Sequence, residues 1–157
     1  MKKLLMALAM LLVASTSWAA GSCSYYPSQS SGSDKYEGYK IIMTCTADVS
    51  DGSFPNTTIT LPTMSYFYSV EYAHGSVNAV TDGTSLVLNN SFGLDVLGTA
   101  GSGALGATTH VLFVPLKSDG GEFFPQVGGT LTQTITQAGS PTNEATLTLE
   151  YSFSAIH

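Results

Sequence analysis

Arginine is absent from the sequence, and five lysines stand against eleven aspartates and glutamates, which gives a formal net charge of −6. Affinity for DNA and RNA comes largely from arginine and lysine contacts to phosphates. A chain of negative charge also repels nucleic acids at a distance. The composition therefore predicts an acidic protein that does not bind nucleic acid.

Histidine is scarce as well, because His74, His110 and His157 are the only imidazole bases in the chain. Nucleophilic catalysis needs a base beside the nucleophile and a group that orients that base. The sequence contains neither a Gly-x-Ser-x-Gly elbow nor a His-Glu-x-x-His zinc motif. We therefore expect surface or half-buried histidines and a protein without enzymatic activity, cofactor or zinc.

Long apolar runs are confined to the start of the chain. A basic Met1–Lys3 precedes an apolar run at 4–14, and Ser17 and Ala19 fit the small-residue rule for cleavage after Ala19. This pattern predicts a secretory signal peptide at 1–19. The run falls short of the roughly 20 residues that span a bilayer, so we expect no membrane contact after cleavage.

Cysteine occurs only at positions 23 and 45. Export delivers both side chains to an oxidising compartment, so the sequence predicts a disulfide between Cys23 and Cys45. Closing that loop stabilises the fold by roughly 3 kcal/mol in the chain-entropy model. A lipid anchor on Cys23 is the alternative, although the box at 20–23 has Ala20 where lipoproteins usually carry leucine.

Segment 20–38 is rich in serine, glycine and tyrosine, and its centre has nothing apolar to bury. That composition predicts a flexible arm. Polar and apolar residues then alternate, which is typical of strands, and one face carries Tyr39, Ile41, Met43, Cys45 and Ala47. We expect a single β domain over 39–157.

Helical periodicity is absent, and short strand patterns recur between turn residues. We expect further strands at 57–61, 64–72, 85–89, 109–114, 130–136 and 144–153, with a hairpin connection at 138–143 and a long loop at 98–107. Many short strands with few charges predict an all-β fold, an antiparallel β-sandwich or jelly roll.

Three stretches follow one another in the second half of the chain: GLDVLGTAG at 93–101, FVPL at 113–116 leading to PQVGGTLT at 125–132, and TITQAG at 134–139. Together they resemble a family of small β-rich structural proteins encoded by tailed bacteriophages, with coverage from about Tyr39 to Phe153. The resemblance implies a non-enzymatic virion protein, capsid-decorating or accessory, whose partners are capsid proteins or further copies of itself.

A signal peptide and a cysteine pair depart from what a subunit assembled in the cytoplasm needs. Either this protein is exported and works in the periplasm, outside the cell or on the virion surface, or the resemblance reports a shared fold alone. An exported periplasmic or cell-surface binding module, adhesive in character, is therefore the alternative function.

Two pairs of carboxylates are close in sequence, Asp48 with Asp51 and Asp119 with Glu122. Paired carboxylates can hydrolyse glycosides, and carboxylate oxygens can hold calcium weakly in extracellular domains. Both pairs lie in glycine-bearing turn sequences, where aspartate favours the turn by bonding its own backbone. We therefore interpret them as turn residues and rank a hydrolase or a calcium site behind a structural role.

Aromatic side chains crowd the strand predicted at 64–72. Because neighbours along a strand point to opposite faces, either Phe67 or its neighbours Tyr66 and Tyr68 should point away from the core. We expect Tyr66, Tyr68 and Tyr72 to form a surface that contacts carbohydrate or protein. The alternative is a strand buried on both faces, one against the second sheet and one against a loop or partner.

Overall fold

The structure, a computed structural model, describes residues 21–29, 38–62, 64–74, 78–115, 124–137 and 145–155. Every regular element in these ranges is a β-strand, and within them no helix has the length and apolar character needed to cross a membrane. The strands are β1 Ser22–Gln29, β2 Gly38–Thr46, β3 Thr57–Thr60, β4 Ser65–His74, β5 Ser85–Asn90, β6 His110–Phe113, β7 Thr130–Thr136 and β8 Thr146–Ala155.

The strands form two antiparallel sheets. Sheet A has the order β1-β2-β8-β4-β6, and sheet B has the order β3-β7-β5. Each described pairing between neighbours is antiparallel. The expectation of an all-β chain built from short antiparallel strands is confirmed.

The two sheets share one hydrophobic core. On β8 the side chains of Leu147, Leu149, Tyr151 and Phe153 are all buried, as their alternation in the sequence predicts. Ile41, Met43 and Cys45 on β2 and Ala47 just after it are also buried, and Leu86, Leu88, Leu131 and Ile135 come from sheet B. A strand that buries every second side chain needs a second apolar layer against it, which sheet B supplies.

A buried amide connects the sheets through this core. Gln133 lies on β7 and is fully buried, and its Nε2 is 3.0 Å from Sγ of Cys45 and 3.6 Å from Sγ of Cys23. Its Oε1 accepts a hydrogen bond from the hydroxyl of Tyr151 on β8. A buried amide is costly unless its polar atoms find partners, and Gln133 finds them on three strands of sheet A.

The connection after β7 is not the predicted hairpin. β7 pairs with β3 and β5 in sheet B, whereas β8 pairs with β2 and β4 in sheet A. Each strand has one buried face, Leu131, Gln133 and Ile135 on β7 and Leu147, Leu149, Tyr151 and Phe153 on β8, and both faces are buried because the strands lie in opposite layers. The prediction at 138–143 was therefore wrong about pairing, and residues 138–144 lie outside the described ranges.

Part of the predicted flexible arm is a strand. Ser22–Gln29 forms β1 and pairs with β2 along its whole length. The side chains of this segment did not indicate a strand, because β1 is held by backbone hydrogen bonds and by the disulfide between Cys23 and Cys45. The rest of the predicted arm, 30–37, and the predicted signal peptide lie outside the described residues.

The long loop after β5 covers the edge of that strand. The N–H of Leu86 donates to the carbonyl of Gly101 at 2.9 Å, and the N–H of Val96 donates to the carbonyl of Leu88 at 2.7 Å. A Cβ at Gly101 would lie 2.0 Å from the carbonyl oxygen of Leu86, so only glycine permits this close approach. The loop therefore protects an edge that would otherwise be open to pairing.

We predict that replacing the disulfide, by Cys23→Ser with Cys45→Ala, lowers the free energy of unfolding by about 3 kcal/mol, because the bond closes a loop between residues 22 positions apart. Urea denaturation under non-reducing conditions measures this. The matched control is Ser24→Ala with Thr44→Ala, a directly opposite pair on the same two strands. Equal losses in both double variants would contradict the prediction.

Candidate functional site

A β-bulge decides which aromatic side chains of β4 face outward. The register of β4 against β8 shifts between Phe67 and Ser69, so Tyr68 is an extra residue in the strand. A bulge breaks the simple alternation of faces. Phe67 therefore shares the buried face with Val70 and Tyr72, although alternation alone puts Tyr72 on the face opposite Phe67.

The predicted surface of Tyr66, Tyr68 and Tyr72 is only partly present. Tyr66 and Tyr68 are half-buried, and the ring of Tyr68 contacts the ring of Phe124 at a centroid distance of 4.3 Å. Tyr72 is fully buried, and its hydroxyl donates to the carbonyl of Gly106 at 2.9 Å. The prediction of Tyr72 as a surface contact was wrong, because the bulge shifts the alternation of β4 by one residue and so turns Tyr72 toward the core.

The carboxylates of Asp48 and Asp51 are occupied by their own turn. Oδ1 of Asp48 accepts the N–H of Ser50 at 2.7 Å, and Oδ1 of Asp51 accepts the N–H of Ser53 at 2.9 Å. The hydrogen bonds from Ser53 hold the pKa of Asp51 below its usual value. Within the described ranges no three His, Cys, Asp or Glu side chains are grouped to hold a metal ion. The other weak calcium candidates, Asp119 and Glu122, lie outside those ranges.

The described histidines lie at the surface of sheet A. His74 ends β4 and is exposed, and His110 begins β6 with Nε2 2.6 Å from Oε1 of Glu71. The side chains of His110 and Glu71 are 62% and 45% exposed, so the pair is open to solvent. This placement agrees with the interpretation of both residues as surface histidines, while His157 lies outside the described residues.

Lys40 forms a second ion pair on this outer face. It contacts Glu150 on β8, and the hydrogen bond and negative charge of Glu150 raise the pKa of Lys40. Glu150 is directly opposite Glu71 on β4. Like charges in that position repel, and Lys40 offsets part of this repulsion. The arrangement is a solvated face with weak pairs rather than a reactive cluster.

A tight turn after β5 places two large apolar side chains in solvent. Oδ1 of Asn90 accepts the N–H groups of Phe92 and Leu94, each at 3.0 Å, and Gly93 adopts a positive φ of 77°. These hydrogen bonds satisfy the backbone N–H groups of the turn. The side chains of Phe92 and Leu94 point outward. They are 74% and 65% exposed, respectively.

These side chains border a groove of about 450 Å³, which we call the Phe92 groove. Its walls are mainly apolar, and its described lining residues are Asn90, Phe92, Leu94, Asp95, Val96, Leu97, Gly98, Pro115, Pro125 and Gln126. Oδ1 of Asp95 accepts the N–H groups of Leu88 and Leu97, each at 3.1 Å. That carboxylate therefore shapes the loop that forms one wall.

The opposite wall of the Phe92 groove is fixed to sheet A. The N–H of Phe67 donates to the carbonyl of Pro125 at 3.0 Å, and the N–H of Val127 donates to the carbonyl of Ser65 at 3.0 Å. The N–H of Ser91 donates to the carbonyl of Val127 at 3.3 Å. The segment 124–127 thus connects the start of β4 with the Phe92 turn, and both walls rest on hydrogen-bonded backbone.

The Phe92 groove was not foreseen from the sequence. The signal available was SFGL at 91–94, an aromatic and an aliphatic residue inside a sequence that otherwise has the composition of a turn. Apolar side chains in an exposed turn cannot be buried in the core. Large exposed apolar patches are typical of interaction sites, so SFGL at 91–94 is a sequence signal for a contact site.

Comparison with known proteins yields little. No family model and no curated protein matches this sequence. A solved structure described as the cyanophage Pam1 capsid asymmetric unit is similar at 12% identity and a TM-score of 0.43, covering 89% of this chain and 88% of that chain.

We predict that stability falls as the pH rises from about 10 to about 12. Burial, with a smaller contribution from the charge of Asp82, raises the pKa of Tyr72 to about 12 from an ordinary value of 10.0. The folded state therefore keeps a proton that the unfolded state has lost, so this stabilisation is complete below about pH 10 and is lost above it.

Urea denaturation between neutral and strongly alkaline pH measures this decline. Tyr72→Phe should be less stable at neutral pH by about 1 kcal/mol, because the bond to Gly106 is lost, and its alkaline decline should be shallower than in the wild type. An unchanged slope in Tyr72→Phe would contradict the assignment.

Proposed function

We propose that this chain is a non-enzymatic structural protein that joins a larger assembly through the Phe92 groove. The observation that carries the proposal is the pair of exposed apolar side chains, Phe92 and Leu94, held by a hydrogen-bonded turn beside an apolar groove. An exposed aromatic ring next to a groove suits the core of a protein interface, where aromatic residues are enriched and charges are depleted.

The chemistry of the groove supports binding rather than catalysis. Asp95 is the one titratable group among its described lining residues, and one of its carboxylate oxygens already accepts two backbone N–H groups. General acid and base chemistry on a glycoside needs two carboxyl groups on either side of the bond. We therefore propose a contact site for apolar side chains of a protein partner.

The finer proposal is a capsid-decorating or accessory protein of a phage particle, with a β-sandwich domain that includes β1 as well as the predicted 39–157, behind a cleaved signal peptide. The sequence stretches that resemble phage structural proteins, 93–101, 113–116 and 125–132, supply every described lining residue of the groove except Asn90 and Phe92. This overlap supports the groove as the contact surface in the proposed role.

The alternative is an exported periplasmic or cell-surface binding module. The disulfide between Cys23 and Cys45 favours it, because such bonds persist in oxidising compartments and are rare in the cytoplasm. The same groove would then bind a surface partner. The two proposals share the contact site and differ in where the assembly forms.

We predict that Phe92→Ser with Leu94→Ser reduces incorporation into purified phage particles by about tenfold, because truncation of central interface side chains weakens binding by more than 1 kcal/mol. Quantitative mass spectrometry of the particles measures this. The melting temperature should stay unchanged, since both side chains are exposed. The matched control is Val49→Ser with Leu112→Ser, which removes two side chains that are 50% and 61% exposed elsewhere.

Each outcome decides a part of the proposal. Absence of the wild-type protein from purified particles would exclude the virion role, and its recovery in the periplasmic or cell-surface fraction would favour the alternative. Equal incorporation of the groove variant and the wild type would exclude the groove as the contact site. Equal loss in the groove and control variants would show that general surface apolarity, and not this groove, drives association.

A further inference from the structure

The outer edge of β1 is a long hydrogen-bonding row without a described neighbour. β1 spans eight residues and pairs with β2 alone among the described strands. The other described edges are shorter or covered: β3 and β6 have four residues each, and the loop after β5 bonds to that strand. Proteins usually protect a long edge with charged side chains or proline, and β1 carries no charged side chain and a single proline, Pro27.

The direction of the backbone groups on β1 follows from the disulfide. The Cα atoms of Cys23 and Cys45 are 4.1 Å apart and directly opposite, which identifies a pair that exchanges no backbone hydrogen bonds. By alternation, the N–H and C=O groups of Cys23, Tyr25 and Gln29 point away from β2. Pro27 occupies the same kind of position, where its missing N–H removes no bond to β2.

We propose that β1 pairs antiparallel with β1 of a second copy of this chain, with the two-fold axis at Tyr26. This inference goes beyond the proposed function and rests on a different surface. In this register the N–H of Tyr25 donates to the carbonyl of Pro27 in the second copy, and Cys23 and Gln29 exchange two bonds. Every outward N–H of β1 then finds an acceptor within the strand, which registers centred on Tyr25 or Pro27 do not achieve.

The side chains of the outer face fit the same axis. Tyr26 is 69% exposed, and its neighbour on β2 in the same row is Ile42, an exposed aliphatic residue. In the proposed register Tyr26 lies opposite Tyr26 of the second copy in the closer, non-hydrogen-bonded type of pair, where aromatic side chains interact favourably. Two isoleucines then border two stacked tyrosines across the joined sheets.

The sequence of β1 favours a second copy as the occupant of this edge. The whole chain has a net charge of −6, which opposes the association of two copies, so a contact between them needs a surface without charged side chains. β1 is an uncharged strand, and a strand paired with itself about a two-fold axis needs no complementary partner sequence. Two-fold pairing also occupies the β1 edge of both copies, so association through this edge ends at two chains.

Sedimentation equilibrium of the purified, oxidised protein tests the proposal. The wild type should dimerise reversibly, and Tyr26→Lys should weaken the dimer by about tenfold or more, because it places two like charges side by side at the axis. The matched control is Leu112→Lys, which introduces the same charge at a 61% exposed position on β6, at the other edge of the same outer face. That variant should dimerise like the wild type.

Hydrogen exchange supplies a second measurement that is independent of the variants. The amides of Cys23, Tyr25 and Gln29 should become protected as protein concentration rises, while the amides of Ser24 and Tyr26, which bond to β2, should be protected at every concentration. A strictly monomeric wild type, equal effects of the two lysine variants, or concentration-independent exchange at Tyr25 would each overturn the proposal. Phe92→Ser should leave this dimer unchanged, so its failure and that of the groove proposal are separable.

Discussion

The amide side chain of Gln133 is the contact on which the arrangement of the two sheets depends. It is fully buried on the central strand of sheet B and reaches both sulfurs of the disulfide and the hydroxyl of Tyr151 in sheet A. A buried amide or hydroxyl without partners costs several kcal/mol, so a sliding of one sheet over the other would leave both groups unsatisfied. Apolar contacts alone tolerate such shifts more readily.

Because the inner faces are buried in this core, interactions with other molecules involve the outer faces, the loops and the sheet edges. The described surface offers two such places with different chemistry. The Phe92 groove presents apolar side chains on a hydrogen-bonded turn and suits a partner side chain, whereas β1 presents backbone donors and acceptors and suits another strand. One surface for a partner and another for a second copy is what a subunit of an assembly needs.

The strands could be predicted because a half-buried strand imposes alternation on its own residues, as in Leu147 to Phe153. The sequence predictions that were wrong concerned features that depend on contacts between residues far apart in the chain. The bulge at Tyr68 turned Tyr72 to the face opposite the one that simple alternation predicts. The assignment of β7 to sheet B followed from its buried face rather than from its connection to β8. β1 is held by backbone hydrogen bonds and a disulfide, which leave little trace in side-chain polarity. The Phe92 groove could not be predicted because it is formed by three segments that lie together only in the folded chain.

A double-mutant cycle on Gln133 and Tyr151, followed by urea denaturation, tests most directly whether this buried contact joins the sheets. Gln133→Leu and Tyr151→Phe should each lower the free energy of unfolding by about 1–3 kcal/mol, because each leaves the other polar group buried and unsatisfied. The double variant should lose less than the sum, by about 1 kcal/mol or more, since neither group is then left alone. Losses that add to within about 0.5 kcal/mol would contradict a direct contact between the sheets at this position.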